Sequence, residues 1–253
     1  MPDMRSTNFL VLSAVLVMVD VVRAQDGETE PSVRRDWDAA IGAIVRYGPE
    51  YSGPSRYGAG WEPGAYLRWG RFSLASRSAF ATRGNDAAPG GGLRVELGGG
   101  ERWRASVGLR QASGRSESGS DALRGLGKVR DTVRARVSLS YRLPDEWRLS
   151  AGWSIDVLGR DGGWLADTSV TREHRLGDAT RWSWGASLNI ASRRYQQTFF
   201  GVTPEQSTNS GYPVYSPGAG LRDVGLFINA RHALSRHWSV FGGAGVNTLL
   251  GPS

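Results

Sequence analysis

From Val133 to Val157 the chain alternates apolar and polar side chains without a break. Val133, Ala135, Val137, Leu139, Tyr141 and Leu143 share one side of a first arm, against Arg134, Arg136, Ser138, Ser140 and Arg142. After Pro144-Asp145-Glu146, a second arm sets Trp147, Leu149, Ala151, Trp153, Ile155 and Val157 against Arg148, Ser150, Gly152, Ser154 and Asp156. A strict period of two belongs to strands, and arms of about eleven residues exceed the five or six usual in soluble sheets. Tilted by roughly 45°, a strand of about 9–11 residues crosses a bilayer. The alternative is a soluble β-sandwich, so the rest of the chain has to decide.

Composition narrows the choice. Mean hydropathy is −0.36, which excludes a bundle of membrane helices. A transmembrane barrel is expected to look this polar, because half of each strand faces a polar lumen. The 35 Gly and 10 Trp suit twisted strands and interfacial aromatics. With no Cys, disulfides and thiolate metal sites are excluded. The formal charge of +7 could suggest nucleic acid, but the arginines are spread over alternate strand positions rather than gathered into a patch. Nucleic acid is therefore not an expected partner.

The N-terminus has the form of an export signal. Arg5 precedes the apolar run Phe9–Val19, and Val22-Arg23-Ala24 supplies a cleavage site before Gln25. Residues 1–24 are thus expected to be removed, with 25–36 as a periplasmic lead-in and 37–253 as the barrel. Asp20 is unusual so close behind the apolar run.

Eleven strands are expected, near residues 37–47, 61–69, 72–80, 93–97, 103–110, 133–143, 147–157, 164–175, 182–190, 221–234 and 238–250. The segment at 164–175 alternates poorly. Residues 48–60, 82–92, 112–130 and 193–220 read as loops from their Gly, Pro and polar content. Tight turns at one end and mostly longer loops at the other match periplasmic turns and extracellular loops. Phe72, Trp103, Trp147, Trp182 and Trp238 each follow a short turn, which suggests a periplasmic aromatic girdle.

Two longer motifs are more specific. Asp121-Ala122-Leu123-Arg124-Gly125-Leu126-Gly127 precedes Tyr195-Gln196-Gln197-Thr198-Phe199-Phe200-Gly201-Val202-Thr203-Pro204-Glu205-Gln206. With Gly211-Tyr212-Pro213-Val214-Tyr215, Gly218-Ala219-Gly220 and His237-Trp238-Ser239, the chain resembles the MipA/OmpV family of Gram-negative outer-membrane proteins. The resemblance implies an outer-membrane β-barrel without catalysis or cofactor. It also implies, for one member, a scaffold role joining a lytic transglycosylase to a murein synthase. Other members are associated with adhesion, osmotic response or drug susceptibility. In this family loop the residues singled out are Tyr195, Phe199, Phe200, Gly201, Pro204 and Gln206.

The largest candidate set is the polar face of the strands: Glu62, Arg68, Arg94, Glu96, Arg104, Arg110, Arg134, Arg136, Arg142, Arg148, Asp156 and Arg231. An Arg on the lipid face costs roughly 2–4 kcal/mol at the midplane, so alternation directs these residues to the lumen. They would either line an anion-preferring channel or fill the lumen as paired charges; the second is favoured. Tyr51, Tyr57, Phe199, Phe200, Tyr212 and Tyr215 stand in loops, where a partner or ligand could bind.

Catalysis has one weak pointer, His237 two residues before Ser239, and a barrel hydrolase is the remote alternative. His174, His232 and His237 match no metal-ligand spacing. The expected function is a non-enzymatic scaffold surrounded by outer-membrane lipid, with a channel or surface adhesin as alternatives. An odd strand number cannot close an antiparallel barrel, so a twelfth strand is expected beyond Leu250.

Overall fold

A strand in lipid must satisfy its backbone on both edges, which only closure can do for all strands at once. The computed structural model describes residues 7–19, 37–51, 53–76, 91–235 and 238–250. It contains one closed antiparallel barrel of twelve strands. These are β1 (Thr7–Val19), β2 (Trp37–Tyr51), β3 (Gly53–Trp69), β4 (Phe72–Ala75), β5 (Gly92–Gly99) and β6 (Trp103–Ala112). They continue as β7 (Thr132–Arg142), β8 (Trp147–Asp156), β9 (Trp164–Leu176), β10 (Thr180–Ala191), β11 (Gly220–Ala233) and β12 (Trp238–Leu249). Each strand pairs with its sequence neighbours, and β1 pairs with both β2 and β12.

Closure differs from the expectation of eleven strands and a missing last one. The apolar run read as an export signal supplies the twelfth strand, with Thr7 opposite Leu249 and Val19 opposite Trp238. An apolar run this long can serve as a strand as readily as a signal core, since periodicity alone does not separate the two.

The opening hairpin sets the pattern for the wall. Arg134 and Arg136 of β7 are buried while Val137 and Leu139 are half exposed, so the polar side faces inward and the apolar side outward. Asp145 and Glu146 take φ of 57° and 62°. Those left-handed values match the turn to the twist of its flanking strands.

Three segments depart from the sequence reading. Residues 48–60 are not a loop: β2 and β3 stay paired outward through Gly48–Gly58 and Pro49–Tyr57 to Tyr51–Gly53. Gly and Pro punctuate side-chain patterns, but here the backbone ladder continues past them, with one register shift between Pro49 and Tyr51. The weakly alternating segment at 164–175 is a full strand, with Ser169 and Thr171 buried inside. Its pattern is blurred because Thr168, Arg172 and His174 occupy the outward positions. Residues 193–220 contain two short helices, α1 (Arg193–Phe200) and α2 (Pro204–Ser210). Ser192 caps α1, and Thr203 with Gln206 forms a capping box on α2. Of the strand expected at 72–80, the part after Ser76 lies outside the described residues, as does most of the loop at 82–92.

Candidate functional site

The wall from β7 to β11 carries a ladder of charge on its inner face. Arg136 donates to both oxygens of Asp167, at 2.5 and 2.7 Å, across the intervening strand β8. That crossing needs a gap in β8, and Gly152 provides it: a Cβ there would lie 2.0 Å from an Arg136 guanidinium nitrogen. Arg136 also donates through Nε to Ser138, at 3.0 Å. Nearer the turns, Arg148 pairs with Glu173 at 2.7 Å. Nearer the loops, Arg222 pairs with Asp223, which also accepts from Asn189 at 2.6 Å. Fork-to-fork pairing of guanidinium and carboxylate is the geometry that compensates a buried charge best.

Arg134 stands one inward step above Arg136. It donates to the carbonyls of Gly162 and Gly163, both at 2.9 Å, and holds the 157–163 connection. Asp156 organises the same connection by accepting from Thr132 and from the backbone of Leu158, Arg160 and Gly162.

The family-motif loop packs onto this layer. The Tyr195 ring, on α1, lies 5.5 Å from the Arg134 guanidinium carbon and 5.7 Å from that of Arg222. Arg222 also donates to the Tyr195 hydroxyl at 3.3 Å. Phe199 stacks on Tyr195 at 4.5 Å, and its carbonyl accepts from Arg115 at 2.7 Å. Burial pushes the Arg115 guanidinium below its ordinary pKa. Gly201 receives close backbone and side-chain contact from Gln197, where a Cβ would meet atoms at 2.1–2.5 Å. Pro204 opens α2, and Gln206 donates to the Leu126 carbonyl at 2.6 Å. Leu123, Leu126 and Val202 bury together with Tyr215 against them. The loops at 113–131, 157–163 and 192–219 therefore form one cap over one end of the barrel. Phe200 is half-buried, and Tyr212 is exposed.

The remaining sequence candidates fall at graded depth. Glu62, Arg94, Arg110 and Arg231 are partly buried, whereas Arg68, Glu96, Arg104 and Arg142 are exposed. Arg94 and Arg110 lie close enough to Arg136 to interact with it electrostatically. Phe72, Trp103, Trp147 and Trp238 each begin a strand, and Trp182 is the third residue of its own. Tyr51 and Tyr57 fall on the outward hairpin of β2 and β3.

Ser239 is buried and accepts from Arg231 at 3.0 Å, while His237 lies outside the described residues. His174 stacks on Trp182, and His232 shares a hydrogen bond with the Thr180 hydroxyl. Among the described residues, no group of three or more His, Asp or Glu is placed to hold a metal ion.

Sequence reasoning missed Asp167, Glu173, Arg222 and Asp223, the partners that complete the ladder, and Arg115 in the cap. The first two lie on the strand whose alternation was weakest. Their charge on alternate positions opposite the Arg of β7 and β8 was the available signal.

The family model for MltA-interacting protein MipA matches residues 41–252. The chain belongs to this family. It is an outer-membrane β-barrel protein, and its motif-bearing loop is the one folded over the barrel end. No curated protein sequence matches it. Similar solved structures include OccAB1 of Acinetobacter baumannii, at 9% identity and a TM-score of 0.36, over 96% of this chain and 65% of that one. OccK8 (OprE) of Pseudomonas aeruginosa aligns at 14% identity and a TM-score of 0.36, over 98% and 69%. A triple mutant of the Rhodopseudomonas blastica porin aligns at 9% identity and a TM-score of 0.29, over 96% and 99%.

Proposed function

We propose that this MipA-family barrel is a non-enzymatic scaffold whose lumen is a structural core, and that it docks murein-handling enzymes at its periplasmic turns. The observation that carries the reading is the inner ladder: Arg136–Asp167 and Arg148–Glu173 tie charge to charge between strands, and Asp223, paired with its neighbour Arg222, accepts from Asn189 on the adjacent strand. A guanidinium held by a carboxylate across a strand rigidifies the wall and offers permeant anions less than an unpaired one would. Tyr195 between Arg134 and Arg222 fastens the cap over the same interior. The family description, which names an interaction with MltA, supports a murein enzyme as the partner class. By the same reading, the lumen-facing charges and the five turn-proximal aromatics serve assembly and seating in lipid rather than chemistry.

The test uses photocrosslinking residues at Glu101, Asp145 and Asp178, one in each of three short turns. Capture of a lytic transglycosylase or murein synthase in cells is the expected result. Capture only from probes in the 113–131 and 192–219 loops would replace the scaffold with a surface-binding function. Discrete anion-selective steps from purified protein in planar bilayers would replace it with a channel.

Residues 1–24 are proposed to direct export and to be cleaved before Gln25, after which the place of β1 between β2 and β12 has to be taken by another strand. Sequencing the N-terminus of outer-membrane material should then start at Gln25. A start at Met1 would keep Thr7–Val19 in the mature wall instead.

A further inference from the structure

One arginine of the wall faces the wrong way. On β9, Ser169, Thr171 and Glu173 point inward, so Arg172 between them lies on the outer, lipid-facing side. Its register neighbours are Trp147 on β8 and Trp184 on β10, with Ile228 beyond on β11. One row further into the wall stand Leu149, Val170 and Leu226, all exposed to lipid.

The surroundings of Arg172 are aromatic rather than acidic. Its guanidinium carbon lies 5.5 Å from the Trp147 ring centre. Trp184 meets Trp147 edge-on, with centroids 5.5 Å apart. The Trp184 indole nitrogen donates to His174 Nε2 at 3.3 Å, and His174 stacks on Trp182 at 4.5 Å. The adjacent Glu173 is committed to Arg148 on the opposite face. Arg172 Nε is buried and has no hydrogen-bond partner. Among the described residues, Arg172 makes no ion pair.

Depth decides what such a group can meet. Arg172 lies four residues from Leu176, the last residue of β9 before a short turn. At about 3.3 Å per residue and a tilt of roughly 40°, that is about 10 Å from the strand end. This is the level of lipid headgroups, and short turns mark the periplasmic leaflet. A weakly hydrated guanidinium whose face rests on one indole ring can present its two terminal NH2 groups to a planar or tetrahedral oxyanion.

We propose that Arg172, Trp147 and Trp184 form a seat for the phosphate of a periplasmic-leaflet phospholipid. The guanidinium binds the phosphate oxygens, and Leu149, Val170 and Leu226 border the acyl chains. The seat is independent of the scaffold reading, because it needs only the barrel and its sidedness.

Native mass spectrometry of the folded full chain in dodecyl maltoside micelles tests this, with phosphatidylglycerol, diacylglycerol or inorganic phosphate titrated in. The wild type should retain one phosphatidylglycerol at a several-fold lower concentration than Arg172→Gln, with Arg172→Lys between them. Diacylglycerol should be retained poorly and equally by all three. Heat-modifiable migration checks that each variant is folded. Equal retention of phosphatidylglycerol by wild type and Arg172→Gln would overturn the seat. So would wild-type retention of diacylglycerol matching that of phosphatidylglycerol, a comparison that holds even if the variants do not fold. Retention of inorganic phosphate alone would reject the lipid as its source.

Discussion

Arg136 and Arg172 carry the same side chain on strands two apart, yet the wall treats them in opposite ways. Arg136 faces inward, is almost fully buried, and is held by both oxygens of Asp167. Arg172 faces outward and rests on an indole, with no carboxylate in reach among the described residues. The inner site compensates charge with charge, because nothing else inside can. The outer site can leave the charge without a protein counter-ion because it lies near the headgroups, where the cost of Arg on a barrel surface falls to about 0–1 kcal/mol. Face and depth, rather than residue type, decide what an arginine does in this wall.

The sharpest way to break the comparison is to remove the inner carboxylate. Asp167→Ala leaves the Arg136 guanidinium buried and unpaired, and should cost about 3–5 kcal/mol. Urea unfolding in lipid vesicles measures it; a loss below about 1 kcal/mol would mean that water already satisfies Arg136.

Moving a charge to the outer face at mid-wall comes next. Val137→Arg, five residues from either end of its strand, should cost about 2–4 kcal/mol and slow insertion, whereas Ser150→Arg on the inner face should cost far less. Similar costs for the two would show that the inner and outer faces are misassigned.

The gap beneath Arg136 gives a smaller effect. Gly152→Val places carbon where the guanidinium passes, and should cost about 1–3 kcal/mol by displacing it from Asp167. Combined with Asp167→Ala, the two losses should fall short of additive, because both remove one interaction.

The smallest change is expected outside. Arg172→Leu should alter stability by less than about 1 kcal/mol in the same vesicles, since the site lies near the interface. A loss as large as that of Asp167→Ala would make Arg172 a structural residue of the wall.

Much of this architecture was legible because strand periodicity is local. The alternation in Val133–Val157 shows two faces, and the cost of charge in lipid says which one is inner. The turns after Trp69, Leu143 and Leu176 could be read from Gly and from Pro-Asp-Glu. Residues 193–210 hid their helices, because Ser192 and the Thr203–Gln206 box are short signals within a polar stretch. The strand at 164–176 was blurred by Arg172 and His174, the residues that make its outer face unusual. A local rule is weakest where a site departs from the common pattern.

The sequence alone determined a membrane-crossing antiparallel wall, its polar and apolar sides, and the family to which its loop motifs point. Only the tertiary structure decided which charges meet. Arg136 reaches Asp167 over Gly152 because the stagger between β7, β8 and β9 sets their heights, and no single strand encodes its neighbours' register. The same holds for closure by Thr7–Val19, whose pairing with Leu249 at the far end of the chain is a long-range contact. It holds too for Tyr195 between Arg134 and Arg222. Periodicity says which way a side chain points, and register between strands says what it finds there.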